Sequence, residues 1–216
     1  MSTAIYTAVF GGYDDLQPHP DIPGVDFIAF TDEASSEQWD VRHVERSTEH
    51  PRMQAKWYKL FPNLCLPGYD QTIWVDASHE ILSATFADDA FAAVDESGIA
   101  LYSHPWRSCV YDEATESEGM EKYRRLPIRE QADSYRAEGH PEKWGLWACG
   151  TIARLNTPEV ANLMVAWWDE ITRWTYQDQL SFPVVCRRAG IRPASFPIHQ
   201  VHGNRWHAIR SHHRED

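Results

Sequence analysis

The sequence predicts an α/β fold, an open mixed but mostly parallel sheet flanked by helices in a Rossmann-like arrangement. Three observations carry this. The runs AIYTAVF (4–10), VDFIAFTDE (25–33) and TIWVDAS (72–78) are apolar through most of their length rather than alternating, as strands covered on both faces require. Strand-patterned runs are joined by a helix-patterned one. Acids stand where strands end, in FTDE and WVDAS, and open sheets of this class bind ligands beyond the carboxyl ends of their strands.

The elements follow in order. The first run is closed by GGYDD, a glycine turn. The second ends at Thr31-Asp32-Glu33, and WDVRHVE (39–45) is a third, short strand. PRMQAKWYKLFPNL (51–64) starts at a proline with helical spacing: Met53, Trp57 and Leu60 share one face, and Arg52, Lys56 and Lys59 another. TIWVDAS then ends on Asp76. Residues 84–96 read as a helix and GIALYSHP (98–105) as a strand. The stretch 112–143 is charged and helical in pattern, either an exposed insertion or a lid. WGLWACGTIARLN (144–156) returns to strand, and TPEVANLMVAWWDEITRW (157–174) is a helix with Thr157 as N-cap and Pro158 at its first position. TYQDQLSFPVVCRRAG (175–190) begins another helix. Residues 1–206 form one domain, and 207–216 read as a disordered tail.

Composition narrows the function. The 216 residues carry a formal charge of −12 and 24% charged residues, which argues against a broad nucleic-acid or anionic-membrane surface and leaves room for one local basic pocket. Four widely spaced cysteines (Cys65, Cys109, Cys149, Cys186) read as reduced thiols. The first residues show no leader pattern and no run spans a bilayer, so a cytoplasmic, soluble protein is expected. Ten tryptophans suit either core packing or apolar platforms for sugars.

Five stretches could carry chemistry. Asp76, with Ser78 and His79 beyond it, could chelate a divalent cation or contact a diphosphate, or simply cap a turn. Arg52, Lys56 and Lys59 form a cationic face, either a diphosphate clamp or a solvated helix surface. His104, Arg107, Tyr111 and Glu113 crowd past a strand, a weak signal for a sugar or phosphate site. Asp178, flanked by Gln177 and Gln179 at a helix start, either caps the helix or meets a sugar hydroxyl. His202, in HQVHGNRWH (199–207), is a candidate metal ligand or part of a polar tail.

Taken together, the segments YTAVFGGYDDL, FIAFTDE, PRMQAKWYKLFPNLCLPGYDQTIWVDAS, SHPWRSCVYDEA, Gln131, Tyr135 and YQDQLSFPVV stand in the order of a known family. They resemble the glycosyltransferase-like domain formerly of unknown function, found in plant Golgi proteins of pollen and seed mucilage and in bacterial relatives. The resemblance runs from about residue 4 to 186. It implies a GT-A-like fold and transfer of a sugar from a nucleoside-diphosphate sugar to a glycan or other hydroxyl acceptor. Carried over, Thr7, Gly11, Tyr13 and Asp32 would hold the nucleoside, and Arg52, Lys56 and Lys59 the diphosphate. Asp76 would take the place of the metal-binding acid, with Ser78 and His202 completing a site for manganese or magnesium. The usual second acid of that motif is Ser78 here. Asp178 and Gln179 would lie near the transferred sugar. For the acceptor side, His104, Arg107, Glu113, Trp144 and Trp147 are the candidates. Two rival readings stay open: a non-catalytic carbohydrate-binding protein, and a metal-dependent phosphohydrolase or nucleotidyltransferase.

Overall fold

Seven strands pair into one sheet in the computed structural model, which describes residues 1–47 and 49–211. The strands are β1 (Thr3–Val9), β2 (Val25–Thr31), β3 (Asp40–His43), β4 (Gln71–Val75), β5 (His79–Ile81), β6 (Ile99–Ser103), β7 (Trp147–Leu155), β8 (Ala194–Ser195) and β9 (His207–Ile209). The helices are α1 (Pro51–Leu60), α2 (Pro62–Cys65), α3 (Phe86–Ala92), α4 (Val110–Glu118), α5 (Ile128–Ala137), α6 (Pro158–Arg173) and α7 (Asp178–Arg188). The sheet order is β3-β2-β1-β4-β7-β6-β8, and β5 pairs with β9 apart from it. Every neighbouring pair is parallel except those made by β7, which runs against both β4 and β6. This is the expected mixed, mostly parallel α/β sheet.

Both faces are buried, which explains the unbroken apolar runs. Along β1, Ala4, Tyr6 and Ala8 join a core with Leu60, Leu163, Trp167 and Phe182, from α1, α6 and α7. Ile5, between them, joins the opposite core with Phe86 and Ala90 of α3, Ile73, and Trp206. Successive side chains point to opposite faces, and each face has its own helical layer.

Helix α1 departs from the expected reading. It ends at Leu60 rather than continuing to Leu64, because Pro62 cannot donate an N–H and restricts Phe61 before it. Its buried residues are Gln54, Lys59 and Leu60, while Met53 and Trp57 are half-buried. Behind it lies a fully buried arginine: Arg154 of β7 donates to the Tyr6 hydroxyl and to the Lys59 carbonyl. The Tyr6 hydroxyl donates to that same carbonyl at 2.8 Å. The last turn of α1 is thereby fastened to the sheet, next to Lys59.

The charged stretch 112–143 carries a third core. Tyr111, Ala114, Ile128, Ala132 and Tyr135 pack on Leu180 and Val184 of α7. Gln131 donates to the Tyr135 hydroxyl at 2.7 Å and accepts from Thr175 at 2.7 Å, so α5 is tied to the loop before α7. The start of the expected tail is ordered. His207–Ile209 form β9, antiparallel to β5, because Trp206 and His207 are buried and anchor the segment. The remaining tail, 212–216, lies outside the described residues. Thr157 caps α6 as expected, its hydroxyl accepting from the Val160 N–H.

Candidate functional site

Beyond the carboxyl ends of β1 and β4 lies a hollow of about 250 Å³. Its floor is the end of β1 (Ala8–Phe10) and Trp74, Asp76 and Ala77; one wall is α1, another is Gln177–Gln179 with Tyr176. The antiparallel strand β7 closes it with Cys149 and Gly150.

Asp76 follows the last residue of β4, and β7 holds it in place: its N–H donates to the Gly150 carbonyl at 2.8 Å. Trp74, two residues back on the same strand face, donates its indole N–H to Asp76 Oδ1 at 2.7 Å. A Cβ on Gly150 would lie 3.0 Å from Asp76 Oδ2 and 2.9 Å from His79 Cε1. Only glycine lets the two strands close around this carboxylate.

The cationic face of α1 points into the hollow. Lys56 Nζ and Lys59 Nζ both donate to Asp178 Oδ2 at 2.7 Å, and Lys59 Nζ lies 4.0 Å from Asp76 Oδ1. Lys59 is 3% exposed, so the alternative of a solvated helix surface does not hold for it. Burial alone would push Asp178 up, but the two ammonium groups outweigh it and hold the carboxyl well below the usual range. Burial likewise pushes Lys59 down, and Asp178 and Asp76 reverse this, raising the ammonium above its ordinary value. Lys59 thus stays charged between two acids. Cys149, fully buried beside them, is pushed up by burial and then by Asp178, so it remains a thiol.

At the mouth, Arg52 donates to the Tyr13 hydroxyl at 2.8 Å. Its guanidinium lies 5.1 Å from the Tyr13 ring centre and 5.4 Å from that of Tyr176. Lys122 and Tyr123, from the turn between α4 and α5, complete the rim.

Of the residues read from the sequence, Tyr13, Arg52, Lys56, Lys59, Asp76, Asp178 and Gln179 meet around this one hollow. Others do not. Thr7 is 1% exposed inside β1 and is not among the lining residues. Gly11 and Asp32 pair with each other, the Gly11 N–H reaching the carboxylate at 3.0 and 3.1 Å. Gly11 has φ +71°, which glycine adopts without strain, and this bond fixes the turn after β1 outside the hollow's lining. His104, Arg107 and Glu113 form a network beneath the loop. Arg107 donates to Glu113 at 2.6 Å, His104 lies 3.5 Å from it, and Gln177 donates to its other oxygen at 3.1 Å. Glu113 is 2% exposed, and through it this set braces Gln177. Trp147 is buried and Trp144 half-buried, edge-on at 5.8 Å with Arg192 over both rings. They pack on the core, and neither lines the hollow.

The divalent-cation expectation meets an unsuitable donor set. Ser78 is 4% exposed and does not line the hollow, while His202 is exposed and stacks on His199 at 4.9 Å. Among the described residues no three His, Cys, Asp or Glu side chains converge on one point. Asp76 Oδ1 already accepts an indole N–H, and an ammonium stands on the same side. The residues present do not fit the cation site. The buried His207 lies with its ring 4.6 Å from that of His79.

Sequence reasoning missed Trp74, Lys122, Tyr123, Cys149, Gly150 and Tyr176. Two had a local signal: Trp74 shares a strand face with the residue after its neighbour, and Gly150 interrupts an apolar strand, where glycine marks close backbone approach. The others come from segments remote in sequence and had none.

The fold and the site together define the class: an α/β domain with a hollow of mixed charge at the carboxyl ends of its parallel strands, four cations standing among Asp14, Asp76 and Asp178. A family model described as TOD1/MUCI70, glycosyltransferase-like domain, matches residues 31–213, and the chain belongs to that family. The match includes the C-terminal segment and begins at the last residue of β2. No curated protein matches the chain. Among solved structures, the apo form of the bifunctional glycosyltransferase WbbM is similar, with a TM-score of 0.49 and 10% identity. The alignment covers 90% of this chain and 38% of that one. Among the described residues no helix is long and apolar enough to cross a membrane.

Proposed function

We propose that this domain transfers a glycosyl group from a nucleoside-diphosphate sugar to a hydroxyl acceptor. The observation that carries the reading is the cluster of Arg52, Lys56, Lys59 and Lys122 around a hollow that also holds Asp14, Asp76 and Asp178. In a chain of charge −12, four cations converging on one hollow suit a diphosphate. Family membership supports glycosyl transfer as the chemistry.

In the reaction, the bond from the anomeric carbon to the diphosphate oxygen breaks with its electron pair on the diphosphate, and the acceptor hydroxyl oxygen bonds to that carbon as its proton passes to the Asp76 carboxylate and from there to solvent. Lys56, Lys59 and Arg52 face the charge that develops on the leaving group, and fixed cations in a screened site stabilise it more than water does. Asp178, held well below the usual carboxylate range, is a weak base. Its role is to place negative charge beside the oxocarbenium-like sugar. Asp76, whose side chain is 44% exposed, is the carboxylate open to substrate hydroxyls. Lys59 supplies the positive charge between the two acids, so nucleotide binding should not depend on a divalent cation.

Calorimetry with uridine and guanosine diphosphates tests the reading, in manganese and in EDTA. One of them should bind, with affinities in the two buffers within about threefold; failure of both to bind would overturn the nucleotide-sugar reading. Asp76→Ala should lower donor hydrolysis or transfer by about 100-fold, the scale of losing one polar group that acts on the transition state. Unchanged turnover would remove Asp76 from the chemistry.

A further inference from the structure

The turn between α4 and α5 encloses a second hollow of about 330 Å³, beside the first. His50, Glu121, Lys122, Arg124, Arg125 and Tyr176 line it. Lys122 and Tyr176 also line the donor hollow, so the two spaces share a wall. We propose that this second hollow is the acceptor subsite and that it takes an anionic glycan, one bearing a carboxylate or sulfate on its sugar ring. The inference rests on the glycosyl-transfer reading for the word acceptor, while the anion site itself stands on the residues.

The charges are unbalanced in one direction. Glu121 is the single acid of the lining, and it pairs with Arg124. Lys122 and Arg125 have no carboxylate within ion-pair distance among the described residues. Three cations thus face one acid at this hollow, in a chain whose formal charge is −12. The surroundings of Lys122 add to this. Partial burial, and then the nearby Arg52 guanidinium, hold its ammonium below the ordinary value. Lys56 acts in the same direction while Asp178 and Asp76 oppose it, and a bound anion would favour the charged form.

The hollow also has an aromatic wall, the exposed His50 imidazole backed by Tyr176, whose ring in turn carries the Arg52 guanidinium. The Tyr176 ring stacks on the His50 imidazole at 5.4 Å, 15° from parallel. The Tyr176 hydroxyl donates to the Lys122 carbonyl at 2.8 Å, which fixes the turn relative to the ring. A sugar ring laid on such a surface buries its apolar face, and its acidic substituent reaches the guanidinium or ammonium. The shared wall then points the glycan's hydroxyls toward the transferred sugar. A simple phosphate site would have no use for the ring.

The test is calorimetry on the full chain at low salt with three probes: a β-1,4-linked trimer of glucuronic acid, a sulfated trimer of glucose, and the neutral glucose trimer. At least one acidic trimer should bind about tenfold more tightly than the neutral one, and added salt should erode the difference. The preferred acidic trimer identifies carboxylate or sulfate as the group. Arg125→Glu should abolish the preference, with Arg125→Gln intermediate, and nucleoside diphosphate affinity should stay within about twofold in both. Equal binding of acidic and neutral trimers, or a preference that survives Arg125→Glu, would overturn the subsite. Loss of nucleotide binding by the wild type would instead overturn the donor reading, since the trimer comparison does not use a nucleotide.

Discussion

Replacing Lys59 by methionine probes the ion cluster most directly. The ammonium lies 2.7 Å from Asp178 Oδ2 with its side chain 4% exposed. At an effective dielectric of about 20, charges at that distance attract by about 6 kcal/mol. Desolvation of the two ions offsets several kcal/mol of this, and removing one partner of a buried pair costs roughly 3–5 kcal/mol because the other is left uncompensated. Lys56 still reaches Asp178 at 2.7 Å in the variant, so the expected loss for Lys59→Met is the lower end, about 3 kcal/mol. For a chain of this size that corresponds to a fall in Tm of roughly 6–12 °C. Asp178→Asn takes the near carboxylate from both lysines, leaving Lys59 only Asp76 at 4.0 Å, and should cost as much or more. The double variant Lys59→Met/Asp178→Asn should be more stable than the sum of the two losses predicts, with a coupling of about 2 kcal/mol in denaturant titrations. The folded carboxyl of Asp178 is depressed, so its contribution is present above its unfolded pKa of about 4 and lost as pH falls below that. Wild type and Asp178→Asn should therefore converge in stability in strong acid. Single losses under about 1 kcal/mol, or losses that simply add, would refute the argument that the cluster is a mutually compensated buried unit.

Gly150→Ala places a Cβ 3.0 Å from Asp76 Oδ2 and 2.9 Å from His79; it should cost roughly 1–3 kcal/mol in unfolding titrations through overpacking and lower turnover by displacing Asp76. Arg52→Lys should not replace Arg52: the guanidinium lies over two tyrosine rings, so both Arg52→Lys and Arg52→Ala should weaken nucleoside diphosphate binding about 5- to 30-fold by calorimetry. Burial lowers His104 and His140 to about 4 and His207 to about 3, with neighbouring Arg107, Arg187 and His79 adding to the three effects in turn. Between these values and the ordinary pKa of about 6.5 the unfolded chain binds more protons than the folded one. Stability should thus be full above about pH 6.5 and fall steadily toward pH 4, a slope that His207→Phe should reduce in melts run across that range.

The elements were legible because each is written locally. Unbroken apolar runs marked β1, β2 and β4, and Thr157-Pro158 marked the start of α6. Boundaries failed where a local rule was overridden or overlooked: Pro62 ends α1 early, and buried Trp206 and His207 hold a strand in what reads as a polar tail. The charged stretch concealed its own core because Tyr111, Ile128 and Tyr135 are diluted among acids and arginines that face outward.

For the site, the sequence by itself determined that an acid would end a buried strand and that three cations would share one helix face. Spacing alone fixes both, since strand and helix periods are set by the backbone. Only the tertiary structure decided which charges meet. The antiparallel run of β7 brings Gly150 against Asp76, and the anchoring of α1 by Arg154 turns Lys59 inward. Asp178 arrives from 119 residues away to meet it. The same packing buried Glu113 and Trp147, which their residue types alone made as plausible as Asp178. Side-chain chemistry is local, but the sign of a pocket depends on contacts that only the folded chain makes.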